Sequence, residues 1–129
     1  MTRGRWRAAG VLALSVGSLG AQAKVPEGSM THVGKRFVFD YGAFVVKVEY
    51  QTGTTLRWEQ LKGPAVGSTA IETCGSAEVR PGVRFFWWQE KDASIVTQVV
   101  DFEKGRVYTT WTSPDRKLSA FEGSVRAEP

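Results

Sequence analysis

Short stretches in which apolar and polar residues alternate make up most of the chain after its first third. In residues 43–51, Phe44, Val46 and Val48 fall on one face, and Lys47 falls on the other. Alternation with a period of two residues predicts a β-strand that is buried on one side. No stretch of the chain has a convincing helical period, so the pattern predicts an all-β protein.

Glycine, proline and charged residues separate these stretches at close intervals and mark the turns between strands. The pattern predicts about eight short strands, at residues 35–40, 43–51, 55–60, 69–79, 84–90, 94–102, 106–113 and 117–126. All the connections are short enough for hairpins, which favours a meander in which each strand pairs with the next. Eight such strands most simply close into an up-and-down antiparallel β-barrel, which has room for side chains or one small ligand.

The first 23 residues are predicted to lie outside this single barrel domain, which spans residues 35–126. Three arginines at the start precede an apolar run, and Ala21-Gln22-Ala23 follows it. This order is typical of a secretory signal peptide that is cleaved after Ala23, and the apolar run is too short to span a membrane comfortably. The sequence therefore predicts a periplasmic or secreted protein with a lead-in at residues 24–34.

Most of the net positive charge comes from this N-terminal segment. The chain has 17 Lys and Arg against 13 Asp and Glu, and 14 basic residues remain once the three early arginines are removed. The remaining basic residues are scattered singly rather than grouped in a block. This pattern predicts neither a nucleic-acid partner nor a membrane partner after signal cleavage.

Cysteine and histidine are each represented once, by Cys74 and His32. A lone thiol cannot form an internal disulfide, and we expect it to be a small buried side chain; an intermolecular disulfide or a reactive thiol stays open. A single histidine without a second ligand at a suitable spacing does not predict a zinc site. The sequence predicts no metal and no cofactor, and it leaves open whether the protein is a monomer or a homodimer.

The hairpin of residues 84–102 is the most aromatic part of the chain, and its inward face is ambiguous. One face of its first arm has two rings between an arginine and a carboxylate: Arg84, Phe86, Trp88 and Glu90. The opposite face carries Phe85 and Trp87. We favour the first set as the inward one, together with Gln98 from the second arm, because it combines aromatic surface with polar atoms.

These residues predict a small-molecule pocket. The candidate ligand-binding residues are apolar rings with a few polar groups among them: Trp58, Glu72, Arg84, Phe86, Trp88, Glu90 and Gln98. A buried Glu90 carboxylate needs a partner or a raised pKa, and Arg84 is the partner that its own face offers. The alternative is that the rings fill the core and that Glu90 lies at a rim.

The chain has no nucleophile motif and no phosphate-binding glycine loop. An enzyme on this scaffold would depend on acid–base groups such as Tyr41, Glu72 and Glu90, without a cofactor. We favour an exported barrel that binds a small, partly aromatic or amphipathic ligand. A cofactor-free lyase or isomerase, and a periplasmic interaction or inhibitor protein with a packed barrel, remain alternatives.

A set of motifs extends over roughly residues 34–126. In chain order they are Leu56-Arg57-Trp58-Glu59, Gly63-Pro64, Ile71-Glu72-Thr73, Arg80-Pro81-Gly82, Trp88-Gln89-Glu90-Lys91-Asp92 and the nine residues 99–107. This set resembles the MoaF-like domain family. The resemblance implies a calycin-like barrel, in the broader group that includes lipocalins and phenolic acid decarboxylases, and the lyase alternative follows from the latter. Family members often carry a tyrosine near Cys74 and a histidine near Gln98, which this chain lacks, so any chemistry that needs them would be absent.

Overall fold

The structure is a computed structural model that describes residues 28–129, and it is all-β. Its strands are β1 (Arg36–Asp40), β2 (Val45–Tyr50), β3 (Thr55–Lys62), β4 (Thr69–Arg80), β5 (Val83–Gln89), β6 (Ile95–Asp101), β7 (Arg106–Thr112) and β8 (Leu118–Glu128). These eight strands are the predicted ones, with boundaries that differ by at most two residues. The predicted signal peptide lies outside the described residues.

Every strand pairs antiparallel with the next, and β8 pairs with β1, so the sheet closes into a barrel. The closing seam joins Arg36 to Glu128 at one end and Asp40 to Ser124 at the other. Gly123 allows the close approach at this seam, because a Cβ atom there would lie 2.5 Å from the backbone oxygen of Asp40. The predicted closed, up-and-down antiparallel barrel is confirmed. Within residues 28–129, no helix has the length and hydrophobicity needed to cross a membrane.

One end of the barrel, which we call the closed end, is filled by aromatic rings. Tyr50 stacks on Phe86 with ring centroids 4.9 Å apart, and Phe37 lies 4.8 Å from Phe102. Tyr50 and Phe86 are completely buried. Aromatic pairs at these separations stabilise a core beyond the apolar area that they bury. The closed end is therefore a packed aromatic core.

The lead-in before β1 contributes to this core through His32. The imidazole is only 4% exposed and lies edge-on to Tyr50 and Phe86, at centroid distances of 4.9 and 5.2 Å. Gly34 N–H donates to the Tyr50 carbonyl at 2.7 Å, which fixes the lead-in to β2. The lone histidine is thus part of the packing at the closed end.

Cys74 is a free thiol within the same core. Burial raises the pKa of this thiol, and the positive charge of Arg84 partly opposes that shift. A buried thiol with a raised pKa is a poor nucleophile at neutral pH. The prediction of a small buried side chain is confirmed.

The inward face of β5 is the one favoured from the sequence. Phe86 and Trp88 are buried, whereas Phe85 and Trp87 are only partly buried and pack against each other at 5.1 Å on the outer face. The outward position of Trp87 has a structural reason, because its indole ring covers Gly75 of the neighbouring strand. A glycine at that point leaves space on the outer wall that the large ring fills.

Candidate functional site at the open end of the barrel

The opposite end of the barrel, which we call the open end, contains a cavity of about 510 Å³. Its wall is mainly apolar and aromatic, with a few polar side chains: Tyr41, Phe44, Val46, Val48, Trp58, Gln60, Pro64, Ala65, Trp88, Glu90, Val96, Gln98, Thr109, Trp111 and Phe121. A largely apolar wall with a few polar groups is the usual composition of a small-molecule site.

Strand register explains why these side chains meet. Gln98 on β6 lies between Phe86 on β5 and Thr109 on β7. Two residues nearer the open end, Val96 lies between Trp88 and Trp111 in the same way. Directly paired residues share a face of the sheet, so one inward residue on β6 fixes the inward residues on both neighbours.

A hydrogen-bond network lies on one side of the cavity. The hydroxyls of Tyr41 and Thr109 share a hydrogen bond of 2.6 Å, and Gln98 Nε2 donates to the Tyr41 hydroxyl at 3.2 Å. Burial raises the pKa of Tyr41 to about 12, although both hydrogen bonds act in the opposite direction. The phenol therefore stays protonated at neutral pH, and the network presents neutral groups to the cavity.

Among the described residues that line the cavity, Glu90 is the one carboxylate. Burial is the main cause that raises its pKa, and the charges of Glu72 and Asp92 add to the effect. The indole N–H of Trp88 donates to Glu90 Oε2 at 3.3 Å and favours the ionised form. Desolvation and neighbouring negative charge both make a carboxylate harder to ionise.

Glu72 lies in the wall behind Trp58. It is 5% exposed and accepts a hydrogen bond of 2.9 Å from the Trp58 indole N–H. Cys74 pairs with Trp88 across β4 and β5, so extending this register by two residues brings Glu72 opposite Glu90. Like charges directly opposite each other on a sheet repel, which agrees with the contribution of Glu72 to the raised pKa of Glu90.

The structure brings together four of the seven predicted site residues. Trp58, Trp88, Glu90 and Gln98 line the cavity. Glu72 contacts it only through Trp58, and Phe86 belongs to the core of the closed end. The ligand-binding role of these residues remains a prediction.

Arg84 lies at the other end of the barrel. Its Nε donates to Ser76 Oγ at 2.9 Å, and its guanidinium donates to the Ser29 carbonyl at 3.1 Å. It lines a separate cavity of about 240 Å³ at the closed end. The expected pairing of Arg84 with Glu90 is wrong: six residues along an extended strand separate them by about 20 Å.

Sequence reasoning missed Thr109, Trp111 and Phe121 as lining residues. The sequence could have predicted them, because the hairpin at residues 102–105 sets the pairing of β6 with β7. Once Gln98 points inward, Thr109 must do so as well, and Phe121 follows because it pairs with Thr109 on β8. The described residues contain no group of three or more His, Cys, Asp or Glu side chains suited to hold a metal ion.

A family model described as MoaF-like matches residues 33–126, which include all eight strands except the end of β8. The chain belongs to the MoaF-like family. Among curated proteins, none matches this sequence significantly. The MoaF-like barrel is also similar to a crystal structure from Burkholderia vietnamiensis that carries the description "putative beta-lactamase". The TM-score is 0.74 and the identity 26%, over 76% of this chain and 96% of the other.

Proposed function

We propose that this MoaF-like barrel binds a small, partly aromatic or amphipathic molecule in the cavity at the open end. The observation that carries the proposal is the larger, mainly apolar cavity at the open end, opposite the aromatic core of the closed end. The cavity of about 510 Å³ lies within the range of small-molecule sites, roughly 300–1,000 Å³. Three tryptophans, Trp58, Trp88 and Trp111, supply flat surfaces against which an aromatic ligand can stack.

The polar groups of the wall support an amphipathic ligand. Glu90 and Gln98 line the same cavity as the three indole rings, and each has an oxygen that can accept a hydrogen bond. A few polar groups in an apolar wall fix the orientation of a ligand while the wall supplies most of the contact area. A ligand with one polar end and one ring-containing end matches this distribution.

The two alternatives account for less of the structure. A packed barrel that acts only through its outer surface leaves the cavity unexplained. A lyase would need acid–base groups that act together, yet Tyr41 has a pKa of about 12 and Glu72 is turned towards the Trp58 indole. That leaves Glu90 as the candidate acid or base on the cavity wall, and general acid–base catalysis by one carboxylate is a weaker basis than binding.

The description of the Burkholderia protein does not favour lactam hydrolysis here. The Ser-x-x-Lys motif that serves serine β-lactamases is absent from the printed sequence. Metal-dependent hydrolysis would need several ligands, and the sequence holds one histidine and one cysteine. The likeness therefore supports a shared fold rather than a shared reaction.

Export is part of the proposal. The basic start, the apolar run and the Ala21-Gln22-Ala23 site support a signal peptide that is removed in a periplasmic or secreted protein. A ligand-binding barrel in that compartment would meet small molecules from outside the cell. Export and binding are independent parts of the proposal, because each rests on a different segment.

The test is binding of a neutral fluorescent probe, N-phenyl-1-naphthylamine, to the purified full chain. We expect saturable binding with a stoichiometry near one, accompanied by quenching of the cavity tryptophans. Trp88→Ala should weaken binding at least tenfold, because it removes a ring of the cavity wall.

The matched control is Trp87→Ala, which removes the neighbouring indole on the outer face of the same strand. It should leave probe binding within about twofold of wild type. Since Trp88→Ala also removes buried surface, Val46→Phe provides a second variant that fills the cavity without deleting a core ring. Probe binding that survives both cavity variants, or no saturable binding to wild type, would refute the proposed function.

A further inference from the structure

Several hydrogen-bond donors around the cavity are engaged by side chains of the wall, whereas one buried acceptor, Gln98 Oε1, has no partner among residues 28–129. The Trp58 and Trp88 indole N–H groups donate to Glu72 and Glu90. Gln98 Nε2 donates to Tyr41, whose hydroxyl is in turn bonded to Thr109. Gln60, whose Oε1 accepts from Ala65 N–H, and Trp111 bring further N–H groups to the lining. A ligand that carries donors can bind the acceptor oxygens of Glu90 and Gln98.

Gln98 carries the clearest of these open acceptors. With Nε2 directed to Tyr41, its Oε1 has no hydrogen-bond partner among residues 28–129, and the side chain is only 5% exposed. A buried polar atom without a hydrogen-bond partner destabilises a protein, because its lost hydration is not replaced. A donor on a bound molecule would remove that cost, since Gln98 lines the cavity.

The charges of the cavity wall also favour a ligand that carries hydrogen-bond donors. Glu90 lines the cavity and is within electrostatic reach of Glu72, whereas none of the lining residues within 28–129 is Lys, Arg or His. None of the ion pairs formed within residues 28–129 includes Glu72 or Glu90. A buried carboxylate without a cation is costly, so a positive group placed beside Glu90 in the cavity would be held strongly.

The aromatic wall suits the same kind of group. Trp58 and Trp88 each hold a carboxylate through the ring nitrogen, and Trp111 lines the cavity two positions along β7 from Thr109. The faces of indole rings attract cations, and this attraction grows when water is excluded. Ring faces and carboxylates together favour a positive ligand over a neutral or negative one.

We infer that the cavity binds an organic cation, a protonated amine or amidine attached to an apolar, ring-containing body. Its N–H groups bind at Glu90 and Gln98, and its body packs along Phe44, Val46 and Phe121. This inference rests on the proposed function and adds to it the chemical class of the ligand.

The experiment is isothermal titration of the full chain at pH 7.5 with three probes of matched length: 4-phenylbutylamine, 4-phenylbutanol and 4-phenylbutyrate. They present a cation, a neutral donor and an anion on the same body. We expect the amine to bind at least tenfold more tightly than the alcohol, and the carboxylate to bind most weakly. Glu90→Gln should weaken amine binding about tenfold and change alcohol binding by no more than twofold.

Glu49→Gln is the matched control, because it removes the same charge from the outer face of β2, where Glu49 pairs with Arg36 and Arg57. It should leave the preference for the amine unchanged. If the amine and the alcohol bind equally, if the amine does not bind, or if Glu90→Gln weakens both probes alike, the cation inference is overturned. The neutral naphthylamine probe alone decides the proposed function, so the two failures can be told apart.

Discussion

Lowering the pH from 7 to 5 is expected to reduce the free energy of unfolding by about 2 kcal/mol through His32. Burial lowers the pKa of His32 from 6.5 to about 4, and the charges of Arg84 and Lys35 add to the effect. The folded state therefore keeps the imidazole neutral, whereas the unfolded chain takes up a proton below pH 6.5. Because the unfolded state binds more protons between pH 6.5 and 4, stability falls as the pH falls through that window.

The magnitude follows from the difference between the two pKa values. A pKa of about 4 against 6.5 corresponds to a total of about 3 kcal/mol, of which about 2 kcal/mol is lost by pH 5. The contribution is nearly complete at pH 7, most of it is lost by pH 4, and the remainder is lost below pH 4. Protonation would put a charge against Tyr50 and Phe86, whose ring centroids lie 4.9 and 5.2 Å from the imidazole.

Urea unfolding of wild type and His32→Asn at pH 7, 6 and 5, followed by circular dichroism, isolates this contribution. Asparagine does not titrate, so the variant should lose less stability than wild type over the same range, by about 2 kcal/mol. The raised pKa of Glu90 has the opposite sign, since it favours the folded state as the pH falls. That contribution is common to both proteins and cancels in the difference. Equal pH dependence of wild type and variant would refute the assignment of a neutral, buried His32.

Three further outcomes are expected, two for the wall of the barrel and one for the N-terminus. Gly123→Ala should destabilise the protein by about 2 kcal/mol, because the new Cβ meets the backbone of Asp40, which cannot rotate away. Chemical denaturation measures this loss, and an unchanged denaturation midpoint would contradict the prediction. Gly75→Ala should lower the free energy of unfolding by less, because the new Cβ clashes with the Trp87 side chain on the outer face, and adding Trp87→Ala should restore the lost stability. If Gly75→Ala destabilises the protein equally with and without Trp87→Ala, the packing of Trp87 over Gly75 is contradicted. The mass of the protein recovered from its native compartment should correspond to a chain that begins at Lys24, and an intact N-terminus would contradict export with cleavage.

The strands and their order were predictable because alternation and turn residues are local signals. The inward face of β5 was not fixed by those signals, since Phe85 and Trp87 are as apolar as Phe86 and Trp88. It is decided by contacts across the sheet, above all the packing of the outer indole over Gly75. A period-two pattern gives the parity of a strand but not which parity points inward when both are aromatic.

The site was only partly predictable because parity gives no position along the barrel axis. Arg84 and Glu90 share a face, yet one lies at the closed end and the other at the open end. His32 was assigned to a lead-in, and its burial depends on rings from distant strands that meet only in the closed barrel. The summed side-chain volumes in each layer of the barrel determine which end is packed and which end holds the larger cavity. The sequence of a single strand does not show these sums.

The seam between β1 and β8 also determines when the protein is able to finish folding. Its end pair, Arg36 and Glu128, is separated by 92 residues of chain. Hairpins between consecutive strands are local and form within microseconds, whereas contacts at such a separation are slow to form. The last strand is also the last to leave the ribosome, so until then the growing sheet has two unpaired edges. Ring closure is therefore the step that ends the exposure of those edges to aggregation, and it places the risk in the nascent chain rather than in the finished barrel.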